Sequence, residues 1–145
     1  MVFSLVMDSL PLDEARLLAD FGLVVLIWLV QLIIYPSFLY TDSAAFKRWH
    51  SHYTALISIF VVPLMFGQTS LYVLLAVSMQ RWAEYTNLAL ILAVWLTTFL
   101  LSVPCHDKMQ KAGYDPSVIR RLISTNWIRT TAWSVVFGID LWVLF

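Results

Sequence analysis

Charge is scarce in this 145-residue chain: Asp, Glu, Lys and Arg together make up 12% of it, about half the share found in soluble domains. The nine basic and nine acidic residues cancel, so no electrostatic footprint for nucleic acid is present. The single cysteine, Cys105, excludes an intrachain disulfide and leaves the redox compartment unread. With only four glycines, no glycine-rich loop is available to cradle a phosphate. Neither a His-x-x-x-His nor a Cys-x-x-Cys spacing occurs. There is no internal repeat, low-complexity tract or polar second domain, so residues 1–145 read as one domain. The N-terminus lacks the basic start of a cleaved signal, because Asp8, Asp13 and Glu14 precede the first long apolar stretch.

What the chain does have is apolar surface. Hydrophobic residues make up 61% of it, more than a soluble domain this small can cover with polar groups. Lipid is the solvent that removes the difficulty. A spanning helix needs about 20 mostly apolar residues, and four stretches qualify: about 21–39, 55–77, 85–105 and 122–145. Runs of this length are helices rather than barrel strands. The expected fold is therefore all-α, an integral membrane four-helix bundle. The first helix is expected to begin near Pro11. Asp42 and Ser43 are placed to cap a short helix leading into the second span, and Asp115 with Pro116 marks the start of the fourth.

Basic residues orient the bundle. Lys47, Arg48, Lys108, Lys111, Arg120 and Arg121 flank the first and third connections, against Arg16 and Arg81 on the opposite side. Both connections are thus expected in the cytoplasm and both termini outside.

Polar residues within the spans are costly, and their placement is informative. In the fourth span Asn126, Arg129, Thr130, Trp133 and Asp140 share one helical face. Trp95, Thr98, Ser102 and His106 form a stripe on the third, and Gln31 and Tyr35 lie four apart beside Pro36 on the first. His50 and Tyr53 stand at the entrance of the second, with Gln68 beyond Pro63. With the orientation above, most of these groups converge on one polar pocket in the cytoplasmic half. Gln68 and Asp140 are the main polar groups of the outer half, with Asp140 read as interfacial or as a cap partner. His106 or His50 is suited to act as general base. Arg129 and Asn126 are suited to steady an oxyanion. Gln31, Tyr35, Tyr53, Gln68, Thr130 and Trp133 are read as substrate contacts.

Two other readings stay open on these residues. His50, His52, Cys105, His106 and Asp107 lie near one membrane face, so a haem or metal site is an alternative, although no metal or cofactor is assigned. A chain this short with seven tryptophans also suits a non-catalytic subunit of a larger membrane complex, or a homo-oligomer.

The elements Val103–Met109 and Thr125–Thr130 carry a resemblance. Val103, Pro104 and His106, then Asn126, Arg129 and Thr130, with Pro36 late in the first span, resemble small four-span proteins of the anthrone oxygenase-like family. The match is nearer to uncharacterised bacterial members with "TNWIRT" and an entrance like His50, Tyr53, Pro63, Leu64 and Met65. His106 stands where the family usually has Asn, and the order Asn126-Trp127 is reversed from the family's. The resemblance implies a bacterial cytoplasmic (inner) membrane protein. It also implies cofactor-independent oxygenation of a small hydrophobic aromatic molecule, with the lipid bilayer and that ligand as partners.

Overall fold

The computed structural model describes residues 2–144, with side chains described from Leu12 onward. Phe145, the expected end of the fourth span, lies outside them. The described residues form helices and turns without any strand. Four long helical rods follow one another through short connections, so sequence neighbours run antiparallel. Each rod packs on the next and the fourth closes back onto the first, giving an up-down-up-down bundle.

The first rod is α-helical over Val2–Leu29, so it starts well before Pro11. It continues through a π turn at Val30–Ile34, an α turn at Tyr35–Ser37 and a 3-10 turn at Phe38–Tyr40. The second is one α-helix, Phe46–Met79, running through Pro63. The third comprises Trp82–Thr97, a π turn at Thr98–Ser102 and Val103–Ala112. The fourth is Pro116–Leu144.

The two π turns share a cause. Pro36 and Pro104 have no N–H, and each ring crowds the carbonyl four residues back, Leu32 and Leu100. The residue before each proline bonds five back instead: Tyr35 N–H donates to the carbonyl of Val30, and Val103 N–H to that of Thr98. Such single π turns are one-residue insertions in a helix and recur at functional sites.

Connections are set by local chemistry. Gln80 ends the second helix in the left-handed region at φ 52°. Gly113 has φ +94° and lies against Lys47, whose Cε would be 3.4 Å from an added Cβ, so a side chain there is strained on both counts. Asp115 caps the fourth helix by accepting the Ser117 and Val118 N–H groups at 2.9 and 3.3 Å. Asp42 does not cap the second helix as expected. It accepts the Ala44 N–H at 3.2 Å, closing a turn, and the helix starts after Ala45 without a side-chain cap. No separate short helix precedes it.

Three segments, Leu12–Tyr40, Phe46–Met79 and Trp82–Ala112, are long and apolar enough to cross a membrane. The fourth helix is long enough but falls short by composition, and its polar residues Asn126, Arg129, Thr130 and Asp140 are buried in the bundle. The outward surface is strongly apolar, with Phe21, Leu32, Ile33, Ile59, Phe60, Val77, Leu96 and Leu100 all more than half exposed.

Candidate functional site

A cavity of about 570 Å³ lies between the helices in the half nearest the first and third connections. Its walls are mainly apolar, with Leu23, Ile27 and Val30 from the first helix, Val61 and Met65 from the second, and Trp95 from the third. The lining residues Ser58, Val62, Phe66, Phe99 and Val103 are exposed on the second and third helices. The cavity therefore opens sideways between those two helices, through the apolar flank, as well as toward Asp107 and Gln110 at the connection end. Sequence reasoning expected a polar pocket facing the cytoplasm. An apolar chamber with one polar wall is what the helices build.

That polar wall is a continuous hydrogen-bonded chain. Gln110 Oε1 lies 3.1 Å from His50 Nδ1, and His50 Nε2 lies 2.9 Å from His106 Nδ1. His106 Nε2 is 3.2 Å from the Tyr35 hydroxyl, which also accepts from Arg129 Nη2 at 3.3 Å. Arg129 further donates to Asn126 Oδ1, and at 3.5 Å to the Thr98 hydroxyl. Asn126 in turn donates to Gln31 Oε1 at 2.8 Å, and Gln31 donates to the carbonyl of Ile123 at 3.2 Å. Thr130 also donates to Gln31 Oε1, at 3.3 Å.

Local sequence explains the convergence. The π turn holding Gln31 and the one ending at Ser102 both lie at the cavity's depth. The Tyr53 ring stacks on Trp49 with centroids 5.7 Å apart and 8° between planes. Phe38 and Phe46 pack around His50, at 5.8 and 5.5 Å.

Of the ten residues singled out, His50, His106, Tyr35, Tyr53, Arg129 and Trp133 line the cavity. Asn126, Gln31 and Thr130 do not. They sit behind Arg129 in the interface of the first and fourth helices, where Asn126 accepts from the guanidinium and bonds in turn to Gln31 and Thr130. Gln68 is not among the lining residues either: its amide donates to Asp20 and its Oε1 accepts from Trp133 Nε1 at 3.0 Å. Gln110 was not singled out, although it stands one helical turn after His106 and could have been found by that spacing.

A second polar cluster lies at the opposite end, where few polar groups were expected. Arg16 is fully buried, 3.1 Å from Glu84, 3.3 Å from Asp140 and 3.3 Å from Asp13. The Tyr72 hydroxyl sits between Asp20 at 2.7 Å and Asp140 at 2.8 Å, and Asn87 donates to Asp140 at 3.0 Å. Asp140 is thus neither interfacial nor a helix-end cap partner but 1% exposed within the bundle.

Among the described residues no three His, Cys, Asp or Glu side chains gather as a metal-ligand set. For a haem between His50 and His106 the geometry is unfavourable. The two rings stack with centroids 5.1 Å apart and 24° between planes, and their facing nitrogens bond each other, leaving no gap for an iron.

No protein-family model matches the chain, and no curated protein and no solved structure matches it either.

Proposed function

We propose that the protein is a four-span membrane bundle that admits a small hydrophobic, oxygen-bearing molecule from the bilayer and performs acid–base chemistry on it. One observation carries this reading: an apolar cavity open at the lipid-facing flank has its single polar wall formed by the Arg129–Tyr35–His106–His50 chain. Pockets for small molecules have this composition, apolar walls with a few convergent polar groups.

Four crossings follow from packing. The fourth helix, at 29 residues, is long enough to span, and its polar residues Asn126, Arg129, Thr130 and Asp140 are buried, so what it turns outward includes Trp127, Ile128, Val135 and Leu141. Orientation follows from charge. Of the nine Lys and Arg residues, six flank the first and third connections, Arg16 and Arg129 are buried, and Arg81 alone remains partly exposed at the other end. This charge bias supports basic connections on the cytoplasmic side of a bacterial cytoplasmic membrane, with both termini outside. With Cys105 replaced by Ser, a cysteine put in place of Gln80 should react with an impermeant maleimide on intact cells. One in place of Ala44 should react only after lysis, and the reverse pattern would overturn the orientation.

The chemistry follows from the wall. Tyr35 lines the cavity and its hydroxyl lies 3.2 Å from His106 Nε2, so it can pass a proton to the imidazole pair. Arg129 stands where an oxygen gaining charge would be held. The residue-level likeness to anthrone oxygenase-like proteins suggests a substrate with an activated CH2 group, one of whose protons is lost this way while the second leaves in the water formed later. The electron pair left behind then passes to dioxygen, and loss of water from the resulting hydroperoxide leaves a carbonyl.

The direct test is binding. The protein in phosphatidylcholine nanodiscs should quench an added polycyclic aromatic probe through Trp95 and Trp133, beyond empty nanodiscs. Ser102→Phe, which fills the cavity from a buried wall position, should abolish the effect while retaining the thermal midpoint. Unchanged binding in that variant would remove the cavity from consideration.

A further inference from the structure

The bundle buries two arginines of opposite character. Arg16 has three carboxylates within 3.3 Å. Arg129 is 7% exposed, and among the described residues no carboxylate lies within 4.0 Å of it. Its acceptors are all neutral: the Tyr35 and Thr98 hydroxyls and the Asn126 amide oxygen. Its Nε is buried and has no acceptor. A guanidinium stays protonated in proteins, and a buried charge is ordinarily paired. No carboxylate among the described residues compensates the charge, and it borders the apolar cavity.

From this geometry we infer that the cavity's ligand is an amphipathic anion, with one oxyanion head, a carboxylate or a phenolate-type oxygen, on an apolar body. The inference rests on the cavity being a ligand site. The head pairs with the Arg129 guanidinium where it lines the cavity, beside Tyr35 and Thr98. The body lies along Ile27, Val61 and Met65 and leaves toward Phe99 and Val103 at the lateral mouth. Asn126, Gln31 and Thr130 brace the guanidinium from behind, so its aim does not depend on the ligand. Such a head is found on small organic acids and on acidic lipids alike.

The experiment compares two probes with one ring system, anthracene-9-carboxylate and 9-methylanthracene, on the full chain in phosphatidylcholine nanodiscs. Wild type should prefer the carboxylate by roughly ten- to hundredfold, the range for hydrogen bonds to a charged group. Arg129→Met should erase that preference and Arg129→Lys should retain part of it. Should the Met variant fail to fold, the wild-type preference still decides. Equal binding of both probes, or a preference that survives Arg129→Met, overturns the anion while leaving the cavity as a site. Failure of both probes to bind above empty nanodiscs removes the cavity reading and the anion with it. Repeating the titration with phosphatidylglycerol in the bilayer separates the sources. Displacement of the carboxylate assigns the head to an acidic lipid, and undiminished binding assigns it to a small organic acid.

Discussion

His50 and His106 share one hydrogen bond, Nε2 to Nδ1 at 2.9 Å, with their rings stacked. Its direction is set from the far end of the chain. Arg129 can only donate, so the Tyr35 oxygen accepts from it and the Tyr35 proton turns to His106 Nε2. His106 must then carry its proton on Nδ1 and give it to His50 Nε2. His50 carries its own on Nδ1, facing the Gln110 oxygen.

Both imidazoles should therefore be the Nδ1–H tautomer when neutral. Nitrogen-15 NMR of protein labelled at histidine reads this directly, with His52 assigned by substitution. Arg129→Met should release the constraint at His106 and mix its tautomers. An Nε2–H signal from His106 in the wild type would break the chain as drawn.

Arg16 should be the most damaging single truncation in the second polar cluster. Its removal leaves Glu84 and Asp140 buried without their cation, and breaking a buried pair from one side costs about 3–5 kcal/mol. Arg16→Met should lower stability by that order in detergent unfolding. Replacing Glu84 and Asp140 as well, by Gln and Asn, should recover much of the loss. A cost below about 1 kcal/mol would mean that water reaches the cluster.

Legibility differed between the two ends for a physical reason. Around the cavity the polar residues recur at helical spacing within apolar runs, so His50, His106, Tyr35 and Arg129 stood out and the structure joins them. Arg16 and Glu84 lie near the ends of hydrophobic segments, where charge is ordinarily solvated. Nothing local distinguishes a terminal arginine in water from one folded under three carboxylates. The roles of Gln68 and Asn126 were likewise hidden, since their partners, Asp20 and Gln31, lie 48 and 95 residues away.

The Asp115 cap carries a pH signature. The Ser117 hydroxyl, at 2.6 Å, and the Ser117 and Val118 N–H groups hold its carboxyl below its ordinary value near 3.8. A depressed carboxyl contributes stability that is fully present above its unfolded pKa and lost as pH falls through its folded one. The thermal midpoint of Asp115→Ala should thus lie below wild type at pH 7. The gap should narrow only below pH ~3.8. A gap constant to lower pH would assign the loss to packing.

The π turns make a prediction about chain length. A π turn is one residue inserted into an α-helix, so removing one residue there restores regular helix and keeps both flanks in register. Removing one from regular helix turns everything beyond it by about 100°, one residue's share of a 3.6-residue turn. Ile33 is exposed within the first π turn, whereas Leu26 lies in regular helix. Pro36 would still crowd the carbonyl behind it, so the deletion of Ile33 is paired with Pro36→Ala. That variant should fold with a thermal midpoint near wild type, because Tyr35, Phe38 and the second helix keep their faces. Deleting Leu26 should prevent folding, since it swings Gln31 and Tyr35 away from Asn126 and His106 together. Equal damage from the two deletions would show that the bulge is a local distortion and not an inserted residue.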